Sequence, residues 1–486
     1  DIFVPGVSSR FGTDDMVKAL MDVERLPRNR LADQVKSMET QRTNWQELGR
    51  RISSMRDSAR SLFSFQNPFN ERTVNSSNSS ALSGTANRGS MDQEQSFTVT
   101  QIAKADRYLS APLDTNMQAP AGNYGFTAGD KTLSLNFQGG SLQDLVKYLN
   151  TEGKGTVKAS IINVQKGKSS LLVESLVTGL ENRLQVTGNA ATLAQNLKFE
   201  NITAAQDSVL DMDGIKISRP GNTIDDLLPG VNLTVHAVSP SPVEIRIGTN
   251  NEAIKESIIG FVGNYNRLMA DLNVLTRSDP NVIAELTYLT EDEQKAMTEK
   301  LGAFATDSAL LQFRSALQQA VSAVYQPLDS AGKPMQDTYT MLSQIGISTN
   351  ASGRGGGYDA SRLRGYLEIN EQELDAAIAT NTEGIRALFA QDTTGDLVAD
   401  TGAAYNLDRV ARPFVETGGI IALKTNGIDS RIQSDNRRMA TLDSQLADKE
   451  AQLRSQYAGM ESAYAEMERM TQSLDNFSTQ NSNNRR

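Results

Sequence analysis

Cysteine is absent from all 486 residues. That excludes disulfides, thiolate metal sites, iron–sulfur clusters and cysteine nucleophiles together. Histidine occurs once, as His236. A His-rich metal site is therefore excluded, and a Ser-His-Asp triad could form only around that ring. An enzyme would have to work with carboxylates, lysines and hydroxyls alone. Aromatic residues make up 6% of the chain, with one Trp, too few to line the cleft that a glycosidase builds around two facing carboxylates. No apolar run reaches the roughly 18 residues of a membrane-spanning helix, so membrane insertion is not expected. A basic excess is missing too. The 48 Lys and Arg are outnumbered by 58 Asp and Glu, a net charge of −10, which argues against a general nucleic-acid binder because phosphate neutralisation needs cations. Asp1-Ile2-Phe3-Val4-Pro5 has neither the basic flank nor the apolar core of a signal peptide, so export, if it occurs, is expected without cleavage.

What is present is enough for cores. Hydrophobic residues are 38% of the chain, and its length suits about three domains of roughly 100–200 residues. The two ends look alike. Thr13 is an N-cap candidate ahead of Asp14 and Asp15, and Met16, Val17, Leu20 and Val23 form one apolar stripe. Pro27 should end or kink that segment. Beyond it a seven-residue repeat places Leu31, Met38, Trp45, Ile52 and Ala59 at one position, and Gln34, Gln41, Leu48, Met55 and Leu62 three later. At the other end Ile432, Met439, Leu446, Leu453, Met460, Met467 and Leu474 recur every seven residues. The partner position there is mixed: Ile428, Asp435, Leu442, Lys449, Gln456, Ala463, Met470 and Phe477. A long helix with a weak coiled-coil seam is expected, its outer turns in need of partners.

The middle reads as β. Ser96 to Ile102, Leu133 to Phe137, Val157 to Val164, Leu171 to Glu174, Val209 to Met212, Ile215 to Ile217, Val231 to Val238 and Val243 to Ile247 alternate or run apolar. Asp213-Gly214 suits a hairpin turn. Ser141 should cap a short helix from Leu142 to Leu149. Helix returns with Ile254 to Leu272, Leu310 to Val324 and Glu371 to Leu388, and the Gly-rich stretch 346–366 suggests a hairpin. Helix at both ends around β in the middle predicts an α+β, multidomain, elongated chain: a coiled-coil stalk or bundle carrying inserted β-rich heads. The expected divisions are 1–45 with 428–486 as a helical leg and 46–75 with 252–427 as a helical bundle with a hairpin. A β-rich head then spans 76–130 with 190–251, and a small inserted α+β unit spans 131–189.

Candidate chemistry is sparse. Asp211-Met-Asp213-Gly begins like a calcium loop, but Asn222 stands where the loop needs Glu, so a turn is expected. The run Gly353 to Gly357 lacks the Lys-Ser/Thr of a phosphate loop. Glu291, Asp292 and Glu293 suit the solvated first turn of a helix. His236 falls inside the expected strand 231–238. Arg50-Arg51 and Arg437-Arg438 lie off the seam, on solvated faces. No cofactor, no metal and no catalytic residue is expected.

The order of motifs carries a resemblance. Phe3-Val-Pro-Gly-Val-Ser-Ser-Arg-Phe-Gly-Thr-Asp-Asp-Met to Pro27, then Ser96 to Ala105, then Ser141 to Ser175, then Leu342-Ser-Gln-Ile-Gly-Ile-Ser-Thr349, Tyr366-Leu-Glu-Ile-Asn370 and Ala387-Leu-Phe389 are similar to the flagellar hook-associated protein 2 family, the filament cap. Val7-Ser8-Ser9-Arg10 stands where a more Gly-rich stretch is common. The resemblance implies a non-enzymatic capping protein at the filament tip that promotes insertion and folding of exported flagellin and prevents its loss. It implies a homo-oligomeric ring of roughly four to six subunits, with flagellin and hook-junction proteins as partners. Export through the flagellar type III apparatus, and a chaperone at the C-terminal helix, are implied with it. The place would be extracellular, or periplasmic in a spirochaete. Contact candidates are Met16, Leu20, Val23, Leu31, Met38, Trp45, Leu453, Met460, Tyr464, Met467, Leu474 and Phe477. Two other readings remain open at this point: an adhesin using the β-rich heads, and a flagellin-like or hook-junction subunit.

Overall fold

The computed structural model describes residues 12–329, 331–349 and 364–483. The expectations for the first eleven residues and for the run Gly353 to Gly357 lie outside them. Helix holds 49% and strand 25% of the chain, and the two are segregated along the sequence, which makes the fold α+β and multidomain. Two compact units result, one from 1–64 with 256–486 and one from 65–255.

The first unit opens with α1 (Thr13–Glu24) and α2 (Leu26–Ser61). Pro27 does not interrupt helix for long. It sits in the first turn of α2, where its missing N–H costs nothing. Along α2 the seam runs through Leu31, Val35, Trp45, Leu48, Ile52, Met55, Ala59 and Leu62, all buried. Gln34 and Gln41 of the expected repeat are exposed, and Val35 takes the inward position instead. The two amides would be costly to bury without partners.

The second unit holds two apolar cores. In one, β1 (Arg72–Ser76), β18 (Val243–Thr249), β3 (Gln93–Gln101), β14 (Ser208–Met212) and β15 (Ile215–Arg219) form an antiparallel sheet. A three-stranded sheet of β16 (Thr223–Leu228), β17 (Val231–Val235) and β2 (Leu82–Ala86) shares its core. Val99 lies opposite Leu210, and Phe97 opposite Val243. Asp213 and Gly214 both adopt positive φ, 53° and 85°, as a two-residue hairpin requires. The Asp211 carboxylate accepts from the Gly214 N–H at 2.8 Å, so this motif is a turn.

The other core belongs to β10 (Val157–Gln165), β11 (Lys168–Thr178), β4 (Ala105–Leu109) and β13 (Glu200–Thr203), with β5 (Leu113–Asp114) paired to β11. Beside them lie β12 (Gln185–Gly188), β7 (Gly122–Ala128) and β8 (Lys131–Phe137), and the short pair β6 (Gln118–Ala119) and β9 (Gly140–Ser141). Helices α3 (Leu142–Glu152) and α4 (Asn189–Asn196) pack on this set. Ser141 caps α3 with a reciprocal Asp144 contact. The cluster runs from Ala119 to Leu197, wider than the 131–189 read from the sequence. The strands before and after the insert turn their apolar sides inward with it. Asp106, fully buried, is satisfied by the Leu184 N–H at 2.7 Å, the Asn201 amide at 2.8 Å and the Ala205 N–H at 2.9 Å.

Helix resumes with α5 (Asn251–Thr276), α6 (Asn281–Ala284), α7 (Glu291–Lys300) and α8 (Ser308–Ser322). Then β19 (Ile347–Thr349) and β20 (Leu367–Ile369) pair antiparallel. The chain ends through α9 (Glu371–Thr380), α10 (Thr382–Phe389), α11 (Ala403–Val415) and α12 (Ile420–Asn483). Helix α2 runs unbroken across residue 45 and α12 across residue 428. Gly49 lets the two approach closely, since a Cβ there would stand 3.2 Å from Ile421 Cγ2. Asp408, buried on α11, takes Arg56 of α2 at 2.6 Å and Arg412 at 2.9 Å, two cations that offset the cost of burying the carboxylate.

Candidate functional site

The 64 residues of α12 give a rod of about 96 Å at 1.5 Å per residue. Its first two-thirds are covered. Arg28 pairs with Asp443 at 2.9 Å and Arg42 with Asp429 at 2.8 Å. Fourteen residues forward on α2 thus match fourteen back on α12, an antiparallel pair in constant register. The register continues through Arg25 with Glu450 at 3.2 Å, Asp14 with Arg454 at 2.8 Å and the Thr13 hydroxyl donating to Glu461 at 2.8 Å. Exposed ion pairs contribute little, about 0–1 kcal/mol each. They mark the register; buried Val17, Met21, Leu31, Val35 and Ile432 supply most of the stabilisation.

The register runs out at Glu461, opposite the first residue of α1. Past it α12 continues to Asn483, about 33 Å more, and no described residue covers its apolar side chains. Met460 is 65% exposed, Met467 62%, Leu474 68% and Phe477 66%; Tyr464 and Met470 are exposed as well. The repeat that starts buried at Ile432 therefore ends in solvent. The cause is geometric. On a straight α-helix a strict seven-residue row drifts about 20° per heptad. Four heptads from Ile432 to Met460 turn the row by about 80°. The contact line with α1 follows Leu453, Tyr457 and Glu461, so the two lines part after Leu453 and Met460 is left exposed. A single seam over seven heptads, expected from the sequence, is not what forms.

The N-terminal stripe is corrected in the same way. Val17 and Met21 face α12, whereas Met16, Leu20 and Val23 are exposed. The contacts of Thr13, Asp14, Arg25 and Arg28 fix which side of α1 and early α2 turns inward, and Met16, Leu20 and Val23 lie off it. Of the other sequence candidates, Leu31 is buried and Met38 and Leu453 are half-buried. Trp45 is committed to the core, stacked on Phe304 at 4.4 Å with the Lys424 ammonium 5.3 Å from its ring. Leu31 and Trp45 are thus not offered to a partner. Met470, read only as a seam position, belongs with the exposed set. Its spacing of three from Met467 and four to Leu474 was the available signal.

The enzyme-like candidates resolve locally. Glu291, Asp292 and Glu293 form the exposed first turn of α7, where Glu293 closes a capping box with Thr290. Donors from Thr290 hold the Glu293 carboxyl below the usual carboxylate range. His236 lies one residue past the end of β17, not within the strand, and its Nε2 is 2.8 Å from Ser83 Oγ. No carboxylate orients that ring among the described residues. No group of acidic or His residues there could hold a metal ion, and no helix is long and apolar enough to cross a membrane.

Comparison with known proteins agrees with this architecture. The family model described as flagellar hook-associated protein 2 C-terminus matches residues 205–469, and the N-terminal one matches residues 9–106. A flagellar hook-associated protein 2 of Treponema maltophilum is 31% identical over 91% of this chain and 94% of that protein. The A-type flagellar hook-associated protein 2 of Pseudomonas aeruginosa is 24% identical over 90% of this chain and 89% of that protein. A crystal structure of the flagellar cap protein from Escherichia coli shares the fold with a TM-score of 0.52 and 24% identity, covering 79% of this chain and 99% of that one. With both ends of the chain and more than half its length matched, the chain belongs to the flagellar hook-associated protein 2 family.

Proposed function

We propose that this protein is the structural cap at the distal tip of the bacterial flagellar filament, and that it assembles there through the bare helix faces of its helical unit. The observation that carries the assembly reading is the stripe Met460, Met467, Met470, Leu474 and Phe477 on the last turns of α12, exposed and covered by no described residue. Met16, Leu20 and Val23 on α1 form a second such stripe. Contiguous exposed apolar surface of this kind marks interaction sites. Burying these large side chains between copies, or against flagellin, offsets the entropy of ordering the last turns of α12.

In this reading the protein forms a closed homo-oligomeric ring, retains exported flagellin beneath it and promotes its insertion. Hook-junction proteins are its neighbours before elongation begins. The type III export apparatus delivers the chain, with a chaperone covering the same C-terminal stripe beforehand. The working place is outside the cytoplasmic membrane, at the filament tip. Met-rich seams suit contacts that are made and released repeatedly, since Met repacks with little strain.

The test is the triple substitution Met467→Glu, Leu474→Glu and Phe477→Glu in the full chain. Sedimentation velocity should show a monomer where the parent forms a ring, the circular dichroism melt should be unchanged, and cells carrying the variant should secrete flagellin without building filaments. Rings and normal filaments from this variant would overturn the assembly role of the stripe.

A further inference from the structure

Leu397, in the helical unit, is an apolar side chain held out in water. It is 95% exposed, and Val398 beside it is 63% exposed. Single exposed leucines are ordinary; this one is carried on a braced and strained loop. At its base the Gln391 N–H donates to the Thr401 carbonyl at 2.9 Å and the Asp400 N–H to the Gln391 carbonyl at 2.9 Å. The Asp392 carboxylate accepts from the N–H groups of Thr394, Gly395 and Leu397 at 3.0, 2.7 and 2.7 Å. Asp396 accepts from the Val398 N–H at 3.0 Å. Leu397 itself adopts φ 67°, a conformation that bulky side chains rarely take. Strain of this kind concentrates at functional positions such as clamps and switches.

The charge around the tip is of one sign. Between residues 390 and 402 stand Asp392, Asp396 and Asp400 and no cation. The same unit carries a surface of the opposite kind at the start of α12. Leu423, Lys424, Gly427, Ile428 and Arg431 share one face of that helix. They wall a half-open cleft of about 430 Å³ beside the stacked Trp45 and Phe304. Leu423 is 66% exposed. A Cβ at Gly427 would meet nothing within 4 Å, so the wall has a notch there. Lys424 holds Asp307, the one carboxylate among the described residues lining the cleft, at 2.6 Å. Arg431 is exposed and forms no ion pair among the described residues. The cleft thus sets an uncompensated cation beside an apolar notch.

We propose that the loop and the cleft are the two halves of a contact between copies of this chain. Leu397 and Val398 of one subunit seat in the notch at Gly427 of the next, against Leu423 and Ile428, with Asp396 and Asp400 toward Arg431. The inference rests on the ring reading given above and names the surfaces that close the ring. Charge selects the occupant: an apolar knob rimmed by carboxylates on one side, a cation beside an apolar notch on the other. The knob does not seat in its own chain, where Leu397 stays bare. Two different patches that fit each other make a heterologous contact, the kind that closes into a ring when the rotation between copies allows.

Sedimentation velocity of the full chain tests this. Leu397→Gly removes the knob, and glycine takes a positive φ without steric cost. A merely structural role for Leu397 would show as a lower melting temperature. A docking role leaves the melt in place and raises the concentration needed for half assembly at least about tenfold. Asp396→Lys should weaken assembly, as should Arg431→Glu, and the two reversals in one chain should restore it. The chain has no cysteine of its own, so Leu397→Cys with Gly427→Cys should on oxidation join subunits into a covalent ladder that neither variant gives alone. A parent ring indifferent to Leu397→Gly, double reversal without rescue, or no ladder would overturn this contact and leave the ring reading standing. A parent that stays monomeric at every concentration would overturn both. Loss of flagellin binding by Leu397→Gly, with the ring unchanged, would give the knob to flagellin and overturn the contact between copies.

Discussion

The two stretches of α12, before and after Glu461, have similar sequences and opposite surroundings. Both place Met or Leu every seven residues. Before Glu461 the helix lies along α2 and α1 in a fixed antiparallel register. After it, Met467, Leu474 and Phe477 stand in solvent. The difference teaches that a heptad pattern specifies an apolar row but not its partner. In a supercoil the row stays on the contact line; along α12 it leaves it. What stabilises the first stretch is contact with α1 and α2, and no described residue offers the apolar side chains of the second the same cover.

The sharpest way to break that contrast is to remove the same kind of side chain from each environment. Ile52→Ala, at a fully buried site on α2, should cost about 2–5 kcal/mol, the range for large-to-small core changes. Met467→Ala should leave unfolding of the isolated chain where it was, within about 0.5 kcal/mol. Urea denaturation followed by helix signal at low protein concentration reads both. If Met467→Ala destabilised the dilute monomer as much as Ile52→Ala, the distal stretch would have an intrachain partner and the contrast would fall.

A smaller effect is expected at the boundary itself. Thr13 donates to the buried Glu461 at 2.8 Å, where the register ends. Thr13→Ala should cost about 1 kcal/mol, the usual net worth of such a bond. The loss should appear as faster amide exchange in α1, with residues 420–450 of α12 unaffected. Uniform acceleration along the whole of α12 would instead mean that the helix opens as one unit and that Glu461 marks no boundary.

Much of this was legible in the residues. Ser141 announced α3, Asp213-Gly214 announced a hairpin, and the β middle between helical ends was plain from alternation. The direction of each helix face was not. Met16 and Val17 are adjacent in sequence and equally apolar, yet only Val17 is buried, because the choice is made by Asp14 and Thr13 meeting Arg454 and Glu461, 440 and 448 residues away. Trp45 read as a surface candidate for the same reason: Phe304 and Lys424, which cover it, are remote in sequence. Nor does any local pattern announce a cavity. The half-open pocket of about 400 Å³ beside α4 depends on how that helix settles against strands drawn from separate segments.

The smallest effect sharpens the contrast from its other extreme. Where α12 runs far past its partners, α3 has only 11 residues, so its first turn matters. The Ser141 hydroxyl and, second, its backbone N–H hold the Asp144 carboxyl below the usual carboxylate range. A depressed folded pKa means that the contribution is fully present above the unfolded value, about 3.9. It is lost as pH falls through the lower folded value. In an NMR titration Asp144 should therefore protonate at lower pH than an unfolded Asp, and Ser141→Ala should move its midpoint up toward the ordinary value. The amides at the start of α3 should lose protection over that acid interval and not before it. An Asp144 midpoint unmoved by Ser141→Ala would show that the cap contributes nothing to this helix, leaving its start, like the far turns of α12, dependent on packing alone.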